Sequence, residues 1–311
     1  DRAADAGIKV FPIAMRGEID LTAAIRIRRL IKQFNYRIIH SHTSHAHTLA
    51  YWASVGAATV RLVTRRVDFS IYRHSFLKLS GLKYRLLADY FVAISHKIKD
   101  VLVHDGVPAE RIFVVHSGID PHRFRQATAD HLATEFDIRK NEKVVINVAH
   151  FAGHKGQIYL VRAIPQVLSK MPDTRFFIIG KGELMNELKA AAAELELERS
   201  LIFTGFRNDV AGFYQLADLY VVSSVQEGLG TAMLDALALA KPVVATAAGG
   251  IPEVIQDGKT GRLVDSADPD ALAEGIVDML TRTEAAKAMA DAGRAMVEHD
   301  FSIDAMVDKN I

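Results

Sequence analysis

The sequence predicts two doubly wound α/β domains, each built on a parallel β-sheet. Short β-branched runs alternate with amphipathic segments along most of the 311 residues, which is typical of βαβ units. The predicted strand at residues 144–148 is apolar on both faces, as expected for a sheet that helices cover on each side. A chain of 311 residues also favours two domains at roughly 150 residues each.

The predicted elements fall into two groups along the chain. Apolar residues at spacings of three and four predict helices at residues 21–34, 157–170, 184–195 and 271–280. A polar break at residues 120–142 separates the groups, and we place the domain boundary there, with a first domain at residues 1–125. The predicted strands are residues 8–11, 37–40, 60–64, 91–94 and 112–116 before the break, and residues 144–148, 175–179, 201–204, 219–222, 242–246 and 262–264 after it.

The composition excludes several function classes. Hydrophobic residues make up 50% and charged residues 24% of the chain, and 38 Lys and Arg balance 37 Asp and Glu. This composition argues against disorder, and the charge balance gives no reason to expect a nucleic-acid partner. The chain has no cysteine, which excludes disulfides, thiolate metal ligands and cysteine nucleophiles. A reducing cytoplasm is therefore allowed and is the expected location.

The most informative segment follows the predicted strand at residues 219–222. A loop with small residues leads to a helix that begins near Gly230 or Thr231. Glycines let a ligand approach the backbone, and the free N–H groups at a helix start favour an anion. Glu227 in the loop and Asp235 in the helix place carboxylates where they suit sugar or ribose hydroxyls. A solvated glutamate and a polar helix face are the alternative.

Glu227 and Asp235, together with residues 236–246 and 249–253, resemble the donor site of glycosyltransferase family 4, whose members are retaining enzymes with the GT-B fold. The resemblance covers nearly the whole chain and is strongest over residues 144–265. It implies two Rossmann-like domains facing across a cleft, with a donor domain at residues 126–299. It assigns Glu227 to the donor sugar. Asp235, where the family has a longer Glu, is assigned to the nucleotide ribose.

Other strand ends match the donor site of the same family. Lys155 matches a lysine that grips the donor diphosphate, and His150 stands where the family usually has an arginine. Gly180 borders the nucleotide, and the backbone near Phe206 and Arg207 meets the base. A surface position is the alternative for Lys155 and His150. The resemblance completes the donor site with Gly228, Leu229, Gly230 and Thr231.

The first domain is expected to carry the acceptor and the remaining catalytic groups. Four histidines within residues 40–47 suggest zinc ligands, but a metal-free polar wall fits better, so no metal is expected and His42 is the catalytic candidate. Arg65 and Arg66 stand where several family members have a histidine. They are assigned to the phosphate or acceptor side, with a solvated basic loop as the alternative. Gly118 either lines the cleft or makes a turn.

Residues 73–86 are basic and amphipathic. They predict a helix with one buried face, and attachment to an anionic membrane surface is the alternative. The chain starts at Asp1 without an initiator methionine. By resemblance it opens just before the family's third strand, and residues 300–311 begin a last helix that returns to the first domain. We therefore expect a chain truncated at both ends, with a nearly complete donor half.

The expected activity is the retaining transfer of a sugar from a UDP- or GDP-sugar to a hydroxyl of a carbohydrate or lipid-linked acceptor. Lys155, Glu227 and His42 are the catalytic candidates, and no cofactor beyond the nucleotide-sugar co-substrate is expected. The resemblance implies polysaccharide or lipopolysaccharide assembly, in the cytoplasm or peripherally at the inner membrane surface. A nucleotide-sugar 2-epimerase and a non-catalytic two-lobed binder of nucleotides or sugars are the alternatives.

Overall fold

The computed structural model describes residues 2–17, 20–70, 84 and 86–309. Packing divides the chain into one unit of residues 1–94 and 98–114 and a second unit of residues 95–97 and 115–311. Each unit contains a parallel sheet, which confirms the prediction of two Rossmann-like α/β domains. The boundary predicted at residue 125 and the predicted return of residues 300–311 to the first domain stay predictions.

The first unit is built on a four-stranded sheet in the order β1-β2-β3-β4. Helix α2 starts where the side chain of Asp20 accepts hydrogen bonds from the N–H groups of Thr22 and Ala23, and it ends at Asn35 in the left-handed conformation. The elements are α1 Arg2–Asp5, α2 Leu21–Phe34, β1 Ile38–Ser41, α3 Ser44–Ser54, β2 Val60–Arg65, β3 Tyr90–Ala93, α4 His96–His104 and β4 Ile112–Val114. The first residues of α4 belong to the second unit.

The strand predicted at residues 8–11 is wrong. Residues 8–16 have no regular secondary structure, and the side chains of Ile8 and Phe11 are 61% and 42% exposed. Phe11 packs against Phe34 of α2, with ring centroids 5.5 Å apart. An apolar run becomes a strand only where a neighbouring strand offers hydrogen bonds. No described strand pairs with residues 8–11. The basic segment at residues 73–86 lies almost entirely outside the described residues.

The second unit is built on a six-stranded parallel sheet in the order β10-β9-β8-β5-β6-β7. None of the helices in the described ranges is long and apolar enough to cross a membrane. The elements are α5 Asp130–Glu135, β5 Lys143–Val148, α6 Gln157–Lys170, β6 Thr174–Ile179, α7 Met185–Glu194, β7 Leu201–Gly205, α8 Val210–Leu216, β8 Leu219–Val222, α9 Thr231–Ala238, β9 Val243–Thr246, β10 Arg262–Val264, α10 Pro269–Thr281, α11 Thr283–Asp300 and α12 Ile303–Asp308.

The core of the second unit explains why the predicted elements form. Val145 on β5 and Phe176 on β6 are fully buried beneath Val161 of α6 and Leu272 of α10. Ile146, which points to the opposite face of β5, is also fully buried. Burial on both faces holds the sheet between two layers of helices. All ladders are parallel, so the carboxyl ends of the strands share one edge of the sheet.

Candidate functional site

The candidate site lies at the carboxyl edge of the second sheet, where the strand order reverses. The chain winds from β5 through β6 and β7 to one side, and through β8, β9 and β10 to the other. Loops that follow strands at such a point diverge and leave room for a ligand. The two loops are residues 149–156, called the β5 loop, and residues 223–230, called the β8 loop.

Backbone contacts fix the two loops against each other. Gly156 has a φ of 62°, and a Cβ atom there would overlap the carbonyl oxygen of Ser223. The hydroxyl of Ser223 donates to the carbonyl oxygen of Lys155 at 3.1 Å. The N–H of Val225 donates to the carbonyl oxygen of His154 at 2.9 Å. Glycine is needed at position 156 because any side chain would push the loops apart.

This approach of the loops brings Lys155 and Glu227 together. Lys155 Nζ lies 2.5 Å from Glu227 Oε2, and the two side chains are only 21% and 13% exposed. The hydroxyl of Ser224 donates to the same Glu227 oxygen at 3.3 Å. Two of the three predicted catalytic residues therefore form an ion pair in which both charges are largely shielded from water, where electrostatic interactions are stronger than in bulk solvent.

Helix α9 begins at Thr231, as predicted. Leu229 is fully buried and anchors the end of the β8 loop. Gly230 adopts a left-handed conformation with a φ of 85° immediately before the helix. The loop therefore turns sharply into the helix start, where unpaired N–H groups can receive an anion.

Asp235 lies on α9 and is almost fully buried. Its Oδ2 pairs with Nη2 of Arg123, and its Oδ1 is buried without a hydrogen-bond partner among the described residues. Burial raises the pKa of Asp235, and the hydrogen bond and charge of Arg123 oppose that rise. Arg123 belongs to no motif that links it to a carboxylate 112 residues further along the chain, so the sequence alone does not indicate this pair.

A pocket of about 420 Å³ adjoins the β5 loop. Four of the predicted donor residues, namely His150, Gly180, Phe206 and Arg207, contribute to its lining. The ring of Phe206 is 65% exposed, and Nζ of Lys181 lies 5.3 Å from the centroid of that ring. An exposed aromatic face on a pocket rim is suited to stacking against a planar base.

The side chains of His150 and Arg207 differ in how strongly other residues bind them. His150 Nε2 lies 3.3 Å from Glu183 Oε2, and both side chains are largely exposed. The guanidinium of Arg207 donates to both carboxylate oxygens of Glu135 at 2.8 Å and to those of Asp209 at 2.9 and 2.7 Å. Hydrogen bonds to Asp209 and Glu135 raise the pKa of Arg207. This network engages the guanidinium of Arg207.

The first unit places His42 at the end of β1, beside His40. The two imidazole centroids are 4.2 Å apart, and His40 Nε2 lies 2.6 Å from Thr64 Oγ1 at the end of β2. Burial lowers the pKa of both histidines, and the charge of Arg66 lowers both further. Both rings are therefore neutral near pH 7 and can accept or donate a hydrogen bond.

Arg65 and Gly118 contribute to packing inside their own units. Arg65 donates to Tyr84 Oη at 2.9 Å and to the carbonyl oxygen of Phe69 at 2.7 Å. Gly118, in the second unit, lies directly against the backbone of Ser302, where a Cβ atom would overlap the carbonyl oxygen. These contacts give both residues a structural task, and their predicted role at the phosphate or acceptor side stays a prediction.

Glu253 joins two histidines in a cluster behind the β8 loop. Potential ligand atoms of His96, His116 and Glu253 lie within 4.8 Å of one another. Glu253 accepts hydrogen bonds from His116 Nε2 at 2.9 Å and from the N–H groups of His96 and Lys97 at 2.8 and 3.0 Å. Burial acts to raise the pKa of Glu253, but these three donors outweigh it and hold the pKa below its usual value. Hydrogen bonds therefore account for the cluster.

Comparisons with known proteins agree with this fold. The family model described as glycosyl transferases group 1 matches residues 130–296, and the model described as Glycosyltransferase Family 4 matches residues 2–123. The crystal structure of Anabaena HepE in complex with UDP and glucose has a TM-score of 0.85 and 21% identity, covering 99% of this chain and 86% of that one. This likeness confirms the predicted GT-B fold class.

Two curated relatives cover most of the chain. The N-acetyl-alpha-D-glucosaminyl L-malate synthase of Bacillus anthracis is 25% identical over 293 residues, which are 93% of this chain and 77% of the relative. The GDP-mannose-dependent alpha-(1-6)-phosphatidylinositol monomannoside mannosyltransferase of Mycolicibacterium smegmatis is 29% identical over 290 residues, which are 88% of this chain and 75% of the relative. These comparisons do not favour an epimerase or a non-catalytic binder.

Replacing Gly156 with alanine is expected to destabilise the second unit more than the same change at Gly258. Both glycines have a positive φ, of 62° and 70°, but at Gly258 no atom of the described residues lies within 4 Å of a new Cβ. Both variants incur roughly 1–2 kcal/mol for a left-handed alanine. Only Gly156→Ala also forces the β5 and β8 loops apart, for an additional loss of about 1–3 kcal/mol. Urea unfolding measures both values, and equal losses would contradict the close approach.

Glu253→Gln is expected to lower the free energy of unfolding at pH 7 by about 1–3 kcal/mol. Because the native pKa of Glu253 is depressed, its ionised form stabilises the fold above the unfolded pKa of about 4.3, and this stabilisation is lost as the pH falls through the native pKa. The difference from wild type should therefore shrink between pH 7 and about pH 3. Urea unfolding across this range tests it, with the exposed Glu187→Gln as the control. A pH-independent difference would refute the assignment.

Proposed function

Because the chain belongs to the glycosyl transferases group 1, we propose that it is a retaining glycosyltransferase that moves a sugar from a UDP- or GDP-sugar to a hydroxyl acceptor. The observation that carries the proposal is the shielded Lys155–Glu227 ion pair where the β5 and β8 loops meet. HepE binds UDP and glucose in its crystal structure, and the Mycolicibacterium relative is named as GDP-mannose-dependent. Both support a nucleotide-sugar donor.

The two members of the ion pair take different roles in this proposal. The Lys155 ammonium is a compact cation that stabilises the departing diphosphate. The Glu227 carboxylate accepts hydrogen bonds from hydroxyls of the donor sugar. The backbone N–H groups of Leu229, Gly230 and Thr231, at the start of α9, add partial positive charge for the phosphates. Gly228 has no side chain that would block the approach of the donor to the β8 loop.

The nucleotide occupies the pocket beside the β5 loop. Its base stacks on Phe206 and meets the backbone of Arg207, whose guanidinium is engaged by Glu135 and Asp209. Gly180 borders the nucleotide, and His150 contributes a hydrogen bond to the diphosphate. Asp235 accepts a hydrogen bond from the ribose. The pocket of about 420 Å³ lies within the usual volume range for small-molecule sites.

We propose a front-side displacement as the chemical step. Retaining glycosidases use two carboxylates about 5 Å apart, one of which is the nucleophile. Here Glu227 is held by Lys155, which reduces its nucleophilicity. The bond between the anomeric carbon and the diphosphate oxygen breaks first and leaves an ion pair. The acceptor oxygen then bonds to the same face of the sugar, and its proton passes to the departing diphosphate.

The acceptor is assigned to the first domain, at residues 1–125, and the donor to residues 126–299. Neutral His42 and the nearby Arg66 provide hydrogen-bonding and positive groups at the strand ends, and Arg65, the last residue of β2, adds to this side. A carbohydrate or lipid-linked hydroxyl suits such a polar surface. The proposed setting is cell-surface polysaccharide or lipopolysaccharide assembly in the cytoplasm, with the enzyme attached peripherally to the inner membrane surface.

Removing either charge of the ion pair is expected to abolish most of the transfer. Glu227→Gln and Lys155→Ala should each lower the rate about 10²- to 10³-fold, the usual effect of losing one preorganised group at a reacting centre. The rate is measured with UDP- and GDP-sugars against a panel of carbohydrate and lipid-linked acceptors. The matched controls are Glu187→Gln and Lys189→Ala, two exposed positions on α7. A folded Glu227 or Lys155 variant with the wild-type rate would show that the site is elsewhere.

A further inference from the structure

The buried carboxylate of Asp235 has one paired oxygen and one oxygen with no partner among the described residues. Its side chain is 6% exposed, whereas that of Arg123 is 43% exposed. A buried acceptor without a hydrogen bond is unfavourable, and such groups in native proteins call for a specific explanation. One such explanation is a binding site in which a ligand hydroxyl donates a hydrogen bond to Oδ1 of Asp235.

The other groups around Asp235 are already engaged. Burial raises the pKa of Tyr214 on α8 and of Tyr220 on β8, and the charge of Asp235 raises both further. The two rings stack with centroids 5.6 Å apart. The Tyr214 hydroxyl donates to the carbonyl oxygen of Ala232 at 2.8 Å, and the Tyr220 hydroxyl donates to that of Val148 at 3.2 Å. Glu227 also acts on Tyr220. Arg123 is therefore the cation that balances Asp235 within the described residues.

Asp235 is linked to the nucleotide pocket by its position on α9. It follows Ala232 by three residues, so the two lie on the same side of the helix. Ala232 and Val148 both line the pocket. Their carbonyl oxygens also accept the hydrogen bonds from the two tyrosine hydroxyls described above. A ligand in the pocket is therefore one helical turn from the carboxylate.

Arg123 is itself held in place by aromatic packing. Its guanidinium lies 4.5 Å from the ring centroid of Phe124, and the Phe124 ring stacks on Tyr214 with centroids 5.8 Å apart. By contrast Arg125, two residues later, pairs with Glu298 on the surface, where both side chains are well exposed. The chain thus offers two arginines in one segment, of which only Arg123 faces a buried carboxylate.

We propose that Arg123 is a positioning residue for the nucleoside diphosphate part of the donor. It holds Asp235 as an oriented carboxylate whose free oxygen accepts a ribose hydroxyl. This inference rests on the proposed function. It assigns Arg123 a task that it performs through Asp235, without itself contacting the reacting atoms.

The test is the pH dependence of UDP and GDP binding, measured by calorimetry on the full chain. Without Arg123, burial alone acts on Asp235 and raises its pKa further, so the carboxylate takes up a proton at a higher pH. A protonated carboxyl is a weaker acceptor. Compared with wild type at the same pH, Arg123→Ala should therefore lose about tenfold more affinity at about pH 5.5 than at about pH 8.

Three further variants separate positioning from a general loss of structure. Arg125→Ala removes a neighbouring arginine and should behave as wild type. Arg123→Lys retains a cation and should keep the pH dependence of wild-type binding. In the double variant Arg123→Ala with Asp235→Asn, the titrating group is gone, so the extra pH dependence should disappear. Thermal unfolding of each variant establishes that it is folded.

The outcomes that contradict this inference differ from those that contradict the proposed function. If wild type binds nucleotide and Arg123→Ala loses affinity equally at both pH values, or loses none, the positioning role is refuted and the proposed function stands. If wild type binds neither UDP nor GDP at either pH, the proposed function fails and this inference fails with it.

Discussion

The close approach of the β5 and β8 loops is the constraint on which the candidate site depends. The backbone at Gly156 touches the carbonyl group of Ser223 so closely that no side chain fits between them. The hydrogen bonds from Ser223 and Val225 then hold the loops in register. Lys155 and Glu227 form their ion pair because the backbone on either side of them is fixed by these contacts. The site is thus built on backbone contacts at the point where the strand order reverses.

The site contains two buried or partly buried carboxylates, and each is paired with a cation. Each carboxylate of the loop–helix unit has its own cation, with Lys155 beside Glu227 and Arg123 beside Asp235. Burial would otherwise penalise both ionised carboxylates. Each pair therefore balances the charge of its carboxylate within the site.

The sequence predicts what depends on local pattern and misses what depends on distant partners. Helix α2 and strand β8 occupy the predicted residues, because apolar spacing and capping act over a few residues. The strand at residues 8–11 fails because pairing requires a neighbour that the local pattern does not specify. Arg123 lies 112 residues before Asp235, and His116 lies 137 residues before Glu253. Neither pairing could be identified until the fold brought the two partners together.

The segment at residues 249–253 shows how one motif supports the site from behind. The N–H of Gly250 donates to the carbonyl oxygen of Glu227 at 3.0 Å, and a Cβ atom at Gly250 would collide with the backbone of Gly228 and the side chain of Ser95. Glycine is therefore required for close contact with the β8 loop. Glu253, three residues later, binds the backbone of the segment that contains Ser95. Gly250 therefore contacts the β8 loop and Ser95, and Glu253 binds the backbone next to Ser95. Both residues thus support the position of Glu227.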